Sequence, residues 1–206
     1  MAWPPVGGSA VEIGGTHAGD TVVVVGIGGV GINSIQARPR PVRATSSPST
    51  PSPFKLQMAE KLGATHTFPS MEAALEAIGD ITWGGKMANT TILTVGEIDG
   101  SMIAPALALT GKGGQVVVVG MGNFQSMDAQ MNLFDLTLMQ KRVQGAIFGG
   151  ASPRTQVPAL LNEYRAGKLN LDDLVTNTYR LDQINEAYDD MLAGNNIRGM
   201  IVYGGR

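Results

Sequence analysis

The feature that most constrains the fold of this chain is a run of four valines that ends in a glycine-rich turn. In the stretch TVVVVGIGGVGINSIQ, Val22–Val25 show the continuous β-branched pattern of a strand buried on both faces. The turn that follows meets the spacing G-x-G-x-x-G at Gly26, Gly28 and Gly31. Residues 32–36 can continue as a helix. A buried strand, a glycine turn and a helix in this order predict the start of a parallel α/β sheet.

Each glycine of this turn has a physical task in a dinucleotide-binding site. The first permits a tight turn, the second leaves room for a pyrophosphate, and the third lets the helix pack closely on the strand. The start of the helix then presents free N–H groups and the positive end of its dipole to the phosphates. The sequence therefore predicts a dinucleotide site. The alternative is a tight strand–helix turn that binds nothing.

Strands and helices continue to alternate after this unit, as they do in a Rossmann-type doubly wound parallel sheet. Turn and cap residues, such as Ser52-Pro53 before one helix and Ser70 before the next, mark the boundaries. Beyond Gly150 the pattern changes to helical segments followed by a terminal strand. We predict strands over 64–68, 90–95, 115–119, 146–148 and 198–203, and helices over 53–62, 71–78, 101–109, 157–167 and 181–194. This organisation divides the chain into a dinucleotide-binding domain, 1–150, and a C-terminal segment, 151–206.

The composition excludes several function classes. A formal net charge of −2 gives no electrostatic reason to bind nucleic acid or an anionic membrane. No apolar run approaches the roughly 20 residues that span a bilayer, and the N-terminus lacks the pattern of a signal peptide, so a cytoplasmic location is expected. The chain has no cysteine and two histidines. We interpret His17 and His66 as structural residues, and we expect neither a metal site nor a catalytic residue in this chain.

One stretch contradicts the α/β pattern. A parallel sheet needs a buried second strand after the first helix, but residues 37–53 read ARPRPVRATSSPSTPSP, with five prolines and three arginines. Each proline lacks the N–H of a sheet ladder, and a buried, unpaired guanidinium is very costly. We therefore expect residues 37–53 to loop out and leave the sheet one strand short. No acidic residue lies between Asp20 and Glu60, so the carboxylate that normally holds the ribose hydroxyls is missing.

Several motifs in this order resemble one enzyme family. The stretches GDTVVVVGIGGVGINSIQ, KLGATHTF, TVGEIDG, ALTGKGGQVVVVGMG, GAIFGG, YRAGKLNLDDLVT and NIRGMIVY resemble the C-terminal half of zinc-type medium-chain alcohol dehydrogenases. Within that family the resemblance is to the nicotinoprotein type, the nitrosodimethylaniline-dependent alcohol dehydrogenases. It covers about residues 8–36 and 54–206. The family carries a second strand of the form AGARxIIAVDPV where this chain has RPVRATSSPSTPS.

A shift of the reading frame would explain that difference. If the codons are read one base early, Ser and Pro codons become Ile, Leu, Val, Ala or Pro codons, and Thr codons become Asp, Asn or His codons. The segment then reads like ARHIIAVDPV, and the missing aspartate falls across Ser49 and Thr50. We hypothesise a frameshifted translation that is restored before Phe54, with a genuine disordered insertion as the alternative. The nucleotide sequence of the gene distinguishes the two.

The resemblance also implies which residues contact the phosphates and the ribose of a bound NAD. Lys55 matches a lysine near the adenosine ribose, although a solvated charge at a helix start is an alternative. Arg198 matches an arginine that contacts a phosphate, although a surface ion pair is an alternative. The pyrophosphate would be held by Gly26, Gly28, Gly29, Val30 and Gly31.

Further contacts implied by the resemblance follow the next strands. Thr94, Val95 and Gly96 would pass along the cofactor. The nicotinamide carboxamide would be met, largely through backbone groups, by Val119, Gly120, Ala146 and Phe148. Each of these residues has an alternative interpretation as the end of a core strand.

In the family, zinc ligands and proton-relay residues lie in an N-terminal domain, and the resemblance implies that this chain begins after it. Residues 151–206 would then pack on that catalytic domain, so the apolar side chains of Tyr164, Tyr188 and Met191 would be partly uncovered. The strand through 146–148 resembles the edge by which these enzymes form homodimers. A homodimer is therefore an expectation from the resemblance alone.

The expected function is that of the cofactor-binding part of an NAD-dependent alcohol dehydrogenase. The parent enzyme would transfer a hydride between an alcohol and the nicotinamide while zinc polarises the oxygen. The isolated chain is expected to be inactive. The alternatives are a non-catalytic NAD-binding module and a relative of the zinc-free quinone reductases. The choice between NAD and NADP and the identity of the alcohol stay open.

Overall fold

A computed structural model describes residues 8, 11–37, 42–45 and 52–204, and these residues contain a six-stranded parallel sheet with the strand order β3-β2-β1-β4-β6-β8. Two small parallel pairs, β5 with β7 and β9 with β10, accompany it. The strands are β1 (Val22–Val25), β2 (Val42–Thr45), β3 (Ala64–Phe68), β4 (Ala88–Leu93), β5 (Glu97–Ile98), β6 (Thr110–Val118), β7 (Met121–Gly122), β8 (Arg142–Gly145), β9 (Val175–Tyr179) and β10 (Arg198–Ile201). The helices are α1 (Gly29–Gln36), α2 (Pro53–Lys61), α3 (Met71–Ile81), α4 (Ile103–Leu109), α5 (Leu133–Thr137), α6 (Pro153–Arg165) and α7 (Ile184–Ala193). The predicted doubly wound α/β fold is therefore confirmed.

Helices cover both faces of the sheet, and the valines of β1 point alternately toward one face and the other. Val22 and Val24 belong to one buried cluster, together with apolar residues of α1 and α2. Val23 and Val25 belong to a second buried cluster, which contains apolar residues of α3 and α4. A strand covered on both faces needs apolar residues at every position, which explains the uninterrupted valine run. None of the described helices is long and apolar enough to cross a membrane.

Helix α3 begins where the sequence predicts, after Ser70, but it ends later than predicted. The backbone N–H of Ala73 donates to the Ser70 hydroxyl at 3.2 Å, so Ser70 is the N-cap of the helix. The helix was expected to stop at Gly79, but it continues to Ile81 and ends at Thr82. A single glycine inside a helix costs about 1 kcal/mol relative to alanine, and packing of Ile78 in the core outweighs that cost.

The expectation that the sheet is one strand short is wrong. Residues Val42–Thr45 form β2 between β1 and β3, with Val42 opposite Val22 and Thr45 opposite Val25. These four residues contain no proline, so every N–H is free for the sheet ladder. The strand is short and its register with β3 shifts between Val42 and Ala44. Ser49 and Thr50, where the frameshift hypothesis places the missing aspartate, lie outside the described residues.

The predicted strand over 146–148 is also misplaced. The edge strand is β8, which ends at Gly145, and residues 147–150 form a 3-10 turn. Phe148 has φ of 49°, a left-handed conformation that is incompatible with a strand. The apolar sequence AIF at residues 146–148 suggested a buried strand, whereas the actual strand, RVQG, is exposed along its whole length. An exposed edge strand carries no apolar signature.

The C-terminal segment packs on the helices of one face of the sheet. Leu174 and Ile197 are buried in the cluster that includes residues of α1 and α2. Gln36 of α1 and the backbone of Asn170 exchange hydrogen bonds of 2.9 and 2.8 Å, and Lys61 of α2 pairs with Asp173 at 2.9 Å. Residues 169–174 and Ile197 therefore contact the sheet domain directly. The division of the chain at residue 150 stays a prediction.

Other apolar residues of this segment are uncovered. Tyr188 and Met191 on α7 are 57% and 53% exposed. Tyr164 is half-buried, and its hydroxyl donates to Asp172 at 2.8 Å. An apolar groove of about 230 Å³ runs between α7 and β10. The segment thus has one packed face and one exposed apolar face.

Candidate dinucleotide-binding site

The ends of five parallel strands form one row at the carboxyl edge of the sheet. Val25 pairs with Thr45 on one side and with Leu93 on the other. Leu93 pairs in turn with Val118, and Val118 with Gly145. The residues that follow these strand ends include most of the predicted cofactor contacts. The sheet therefore brings residues from four distant parts of the sequence to one edge.

The glycine turn lies where the strand order changes direction. From β1 the chain first builds outward through β2 and β3, and then continues on the other side of β1 through β4, β6 and β8. The connections that follow the carboxyl ends of β1 and β4 therefore run in opposite directions and leave a crevice between them. Ligands of open α/β sheets bind in such a crevice, outside the carboxyl ends of the strands.

Gly26 and Gly31 are glycines because the protein packs against them. Gly26 has φ of +96°, and a Cβ there would lie 2.9 Å from the backbone nitrogen of Val95. A Cβ at Gly31 would overlap the carbonyl oxygen of Gly26 and would lie 2.6 Å from the Thr94 hydroxyl. These two positions confirm the tight turn and the close helix–strand contact that the sequence predicts.

Gly28 has no such packing reason to be glycine. A Cβ at this position would meet no atom of the described residues within 4 Å, and its backbone is extended, with φ of −97° and ψ of −167°. Any residue could adopt this conformation, so the protein itself does not require a glycine here. The open space lies at the N-cap of α1. A glycine that faces open space at a helix start allows a phosphate to approach the backbone closely.

The start of α1 offers hydrogen-bond donors to an anion. The helix begins at Gly29, and its first backbone bond runs from the N–H of Ile32 to the carbonyl of Gly28. The N–H groups of Gly29, Val30 and Gly31 consequently have no partner inside the helix. The first turn holds no acidic side chain, and the side chain of the cap position is absent. This end of the helix can therefore bind a pyrophosphate.

The segment after β4 supports the glycine turn from the neighbouring strand. The Thr94 hydroxyl donates to the carbonyls of Val25 and Gly26, at 2.9 and 2.7 Å. Val95 is buried against Gly26, whereas Gly96 is exposed at the crevice. Thr94 and Val95 thus shape the turn, and Gly96 is accessible to a ligand.

The residues after β6 and β8 continue the same edge. The N–H of Val119 donates to Leu93 at 2.9 Å, and Gly120 packs so closely on the Val95 carbonyl that a Cβ would overlap it. The N–H of Ala146 donates to Val118 at 2.9 Å, and Ala146 is buried. The resemblance assigns these three residues to the nicotinamide, and that assignment stays a prediction. Phe148 is 63% exposed and lies beyond the row.

Lys55 and Arg198 come from outside the row of strand ends. Lys55 lies in the first turn of α2 and is half-buried. Burial lowers the pKa of the Lys55 ammonium from its ordinary value. Arg198 begins β10 and borders the apolar groove of the C-terminal segment. It directly follows Ile197, which packs in the same buried cluster as Ile27 of the glycine turn.

Asn33 is a site residue that the sequence analysis missed. Its side-chain amide donates to the carbonyl of Gly29 at 2.7 Å and so holds the first turn of α1. The residue is 3% exposed, and its Oδ1 atom has no hydrogen-bond partner among the described residues. A polar residue inside an otherwise apolar helix face was the available signal. Its tie to Gly29 makes it a support of the anion-binding end.

The described residues do not fit a zinc site. They contain no group of three or more His, Asp or Glu side chains that could hold a metal, and the whole chain lacks cysteine. His17 is exposed beside Asp20, whose carboxylate accepts the backbone N–H of His17 at 2.6 Å, and His66 lies exposed on β3. We therefore derive no step that passes through a metal bound by these residues.

A large cavity lies at the opposite edge of the sheet. It measures about 1170 Å³ and opens at the amino ends of the strands, between Thr21, Asn89 and Arg142. Size alone would favour it as a ligand site. The carboxyl edge is the better candidate, because only there do helix donors, an unpacked glycine and the strand-order switch coincide.

Comparisons with known proteins agree with this geometry. Residues 47–165 match the family described as zinc-binding dehydrogenase. Alcohol dehydrogenase B of Mycobacterium tuberculosis (strain ATCC 25618 / H37Rv) is 45% identical over 196 residues, which cover 95% of this chain and 52% of that protein. The NDMA-dependent alcohol dehydrogenase of Amycolatopsis methanolica is 40% identical over 195 residues, with 95% and 52% covered.

Solved structures show the same relationship. Benzyl alcohol dehydrogenase from Acinetobacter calcoaceticus superposes with a TM-score of 0.84 at 25% identity, over 98% of this chain and 55% of that chain. The chain spans about half the length of the relatives that it matches. With more than half of its residues matched by the family, the chain belongs to the zinc-binding dehydrogenases, as the sequence motifs predict.

Proposed function

We propose that this chain supplies the dinucleotide-binding half of an NAD-dependent alcohol dehydrogenase. The observation that carries the proposal is the contrast among the three glycines of the turn. Gly26 and Gly31 are required by packing, whereas Gly28 faces open space at the N-terminus of α1. A pyrophosphate that approaches the backbone closely would account for a glycine at the second position. The names of the relatives, which are alcohol dehydrogenases, support the assignment of the reaction.

The residues of the chain would act by binding and orientation. The N–H groups at the start of α1 would hold the pyrophosphate, and Thr94 would keep the Gly26 carbonyl turned away from it. The backbone at Val119, Gly120 and Ala146 would fix the nicotinamide end of the cofactor. A nicotinamide held here would supply the hydride acceptor for alcohol oxidation, and the residues of this chain would position its ring.

Titration of the purified chain with NADH, followed by calorimetry, tests the proposal. We expect one dinucleotide per chain and a large loss of affinity in Gly28→Ala. Failure of the wild-type chain to bind either NADH or NADPH would contradict the proposal. NAD is the cofactor that the resemblance implies, and the proposal of a dinucleotide site covers NADP as well.

We further propose that the 206-residue chain on its own does not oxidise alcohols. It has no cysteine, and the described residues hold no cluster that could bind the zinc needed to polarise an alcohol oxygen. An assay with benzyl alcohol, NAD and added zinc tests this statement. A zinc-stimulated rate would contradict it. Dinucleotide binding without turnover would fit both an enzyme half and a non-catalytic binding module.

A homodimer through β8 is part of the proposal. All four residues of β8 are exposed, and the preceding segment exposes large apolar side chains, among them Phe124 and Met127, which are 101% and 102% exposed. An exposed edge strand with apolar neighbours is able to pair with a second copy. Light scattering of the purified chain should give twice the monomer mass. A proline in place of Val143 should reduce that mass to the monomer value.

A further inference from the structure

We propose that the large cavity at the amino edge of the sheet binds a small phosphate-bearing anion with two or more negative charges. This site is separate from the proposed dinucleotide site, which lies at the carboxyl edge, and it adds a second function to the chain. Its lining residues fall within four segments of the described chain, 14–21, 81–90, 108–115 and 135–142. The charges of these segments favour a phosphate.

The cavity has an excess of cations, although the whole chain has a formal net charge of −2. Cations collected in a concave surface raise the local concentration of anions. Four basic and two acidic residues line the cavity, which gives a formal charge of 4 − 2 = +2 with histidine neutral: Lys86, Lys112, Lys141 and Arg142 against Asp20 and Asp135.

The two carboxylates of the cavity already have partners. Asp20 accepts the backbone N–H of His17 at 2.6 Å, and Asp135 pairs with Lys141 at 3.4 Å. Within the described part of the chain, the other three cations of the cavity form no ion pair with a carboxylate. An anion with several charges would therefore neutralise cations that these residues leave unpaired.

Lys141 is fixed in place by the protein itself. Its side chain is 9% exposed, and its ammonium donates to the carbonyl of Leu107 at 2.8 Å as well as pairing with Asp135. An ammonium has three N–H donors, so these two contacts leave one for a ligand in the cavity. A phosphate oxygen is a strong acceptor for such a donor, because the hydrogen bond is charge-assisted.

The turn of residues 82–87, which carries Lys86, is also held by its own contacts. The buried Thr82 hydroxyl donates to the carbonyl of Ile78 at 2.7 Å and accepts the N–H of Met87 at 3.2 Å. Met87 has φ of 63°, which is uncommon outside glycine. The Lys86 ammonium lies 4.3 Å from the ring centroid of Trp83, which is 84% exposed. The turn thus presents a cation and an aromatic ring in a defined geometry.

Backbone contacts bring the cations of the cavity together. A Cβ at Gly111 would overlap the carbonyl oxygen of Lys86, so the turn lies directly beside the residue that precedes Lys112. The N–H of Gly113 donates to the carbonyl of Met139 at 2.8 Å, and Met139 leads into the segment with the other two cations. The four cations therefore come from three adjoining backbone segments that line one cavity.

A phosphate suits this arrangement better than a monovalent anion. A single carboxylate would neutralise one of the unpaired cations, whereas a phosphate monoester carries about two negative charges and several acceptor oxygens. Lysine binds phosphate as a point charge, and the arginine fork donates two parallel hydrogen bonds to it. Inorganic pyrophosphate is the simplest probe of this chemistry, since it has no other group to bind.

Nuclear magnetic resonance of the ¹⁵N-labelled chain during titration with sodium pyrophosphate tests the inference. The titration is made at constant ionic strength with NADH at saturation, so that the glycine turn is occupied. We expect the amide signal of Gly113 and the indole N–H signal of Trp83 to shift with a Kd below about 1 mM. Sodium acetate over the same concentrations should leave both signals in place. The pyrophosphate affinity should fall as salt is raised.

Removal of two unpaired cations should weaken the binding. The double variant Lys86→Gln and Lys112→Gln should lose roughly tenfold in pyrophosphate affinity, the order expected of two partly exposed charge pairs. Both residues are exposed, so the variant should keep the fold, which its amide spectrum checks. Lys168→Gln removes an exposed cation outside the cavity and is the matched control, which should bind as the wild-type chain does.

Each outcome bears on the inference. If about 10 mM pyrophosphate leaves the signals of Gly113 and Trp83 in place, or shifts only those of the glycine turn, the inference is wrong. If acetate shifts them equally, the assignment to phosphate is wrong, and this comparison needs no variant. If the double variant binds as tightly as the wild-type chain, the role given to Lys86 and Lys112 is wrong. The dinucleotide site is read separately, from the NADH-dependent signals of Gly28 and Gly29.

Discussion

The hydroxyl of Thr94 donates a 2.7 Å hydrogen bond to the carbonyl oxygen of Gly26, which joins the end of one strand to the glycine turn of its neighbour. Both groups are buried, and the same hydroxyl reaches the Val25 carbonyl at 2.9 Å. Gly26 turns with φ of +96°, a conformation open to glycine at little cost. The hydrogen bond therefore fixes the direction of the turn, and with it the start of α1.

Replacement of Thr94 by valine should weaken both stability and dinucleotide binding. The variant keeps the shape of the side chain but leaves buried carbonyls with one donor fewer, which costs about 1–2 kcal/mol of unfolding free energy. Thr90→Val is the matched control, since the buried Thr90 hydroxyl donates to Gly14 at 3.1 Å at the opposite end of the same strand. Urea unfolding should show similar losses for both variants. Only Thr94→Val should lower the affinity for NADH.

Substitutions at two glycines of the turn should distinguish an effect on packing from an effect on dinucleotide binding. Gly31→Ala forces a Cβ into the Gly26 carbonyl, so we expect a loss of about 3 kcal/mol or more in unfolding free energy. The methyl group of Gly28→Ala meets no atom of the described part of the chain, so stability should change by less than about 0.5 kcal/mol. The same methyl group would occupy the space of the pyrophosphate and should weaken NADH binding by roughly tenfold or more. Equal stability losses in the two variants would contradict this assignment.

The core of the site could be predicted from sequence because its signals are local. Four consecutive β-branched residues predict a strand buried on both faces, and the spacing of Gly26, Gly28 and Gly31 reflects contacts within one strand–turn–helix unit. The partner of the turn, Thr94, lies 68 residues further along the chain. Its position followed from the family motif TVGEIDG, whereas its hydrogen bonds needed the register between β1 and β4.

The strands that the sequence analysis missed have a common cause in their amino-acid composition. β2 was missed because the prolines and arginines around it outweighed the four residues without proline, Val42–Thr45. β8 and β9 were missed because RVQG and VTNTY are largely polar, as strands outside the main core can be. Asn33 stood out only as a polar residue in an apolar helix face, which does not reveal its hydrogen bond to Gly29. Tertiary context decides such elements, and one sequence does not display it.

Removal of the Ile197 side chain should weaken the packing of the C-terminal segment against the glycine turn. Ile197 is 7% exposed and shares a buried cluster with Ile27. Ile197→Ala should cost about 2–5 kcal/mol of unfolding free energy. Met200, on the strand β10 that directly follows Ile197, is 45% exposed, and Met200→Ala should change the unfolding free energy by about 0.5 kcal/mol or less. If Ile197→Ala is as stable as Met200→Ala, the segment does not pack on the sheet domain as described.

Acid should destabilise the C-terminal segment through Asp190. The Tyr179 hydroxyl donates to this carboxylate at 2.7 Å and Asn195 donates at 3.1 Å, and these bonds lower the pKa of Asp190 below its ordinary value. A carboxyl with a lowered folded-state pKa contributes stability above its unfolded pKa of about 3.9, and that contribution is lost as the pH falls through the folded-state pKa. The urea concentration at the unfolding midpoint of the wild-type chain should therefore decrease as the pH is lowered below about 4.

Asp190→Asn should lower the midpoint at pH 7 and flatten its decline in acid. Asp189→Asn is the control, because Asp189 is exposed and its carboxylate makes no hydrogen bond to the described residues. A decline in acid as steep in Asp190→Asn as in the wild-type chain would exclude Asp190 as its source.

The location of the dinucleotide is tested most directly by nuclear magnetic resonance of the ¹⁵N-labelled chain during titration with NADH. We predict that the largest shifts occur in the amide signals of Gly28, Gly29 and Val30, at the start of α1. The signals of Gly113 and Asn89, at the large cavity of the amino edge, should stay in place. Largest shifts at the amino edge, with the glycine turn unmoved, would contradict a phosphate site at the carboxyl ends of the strands.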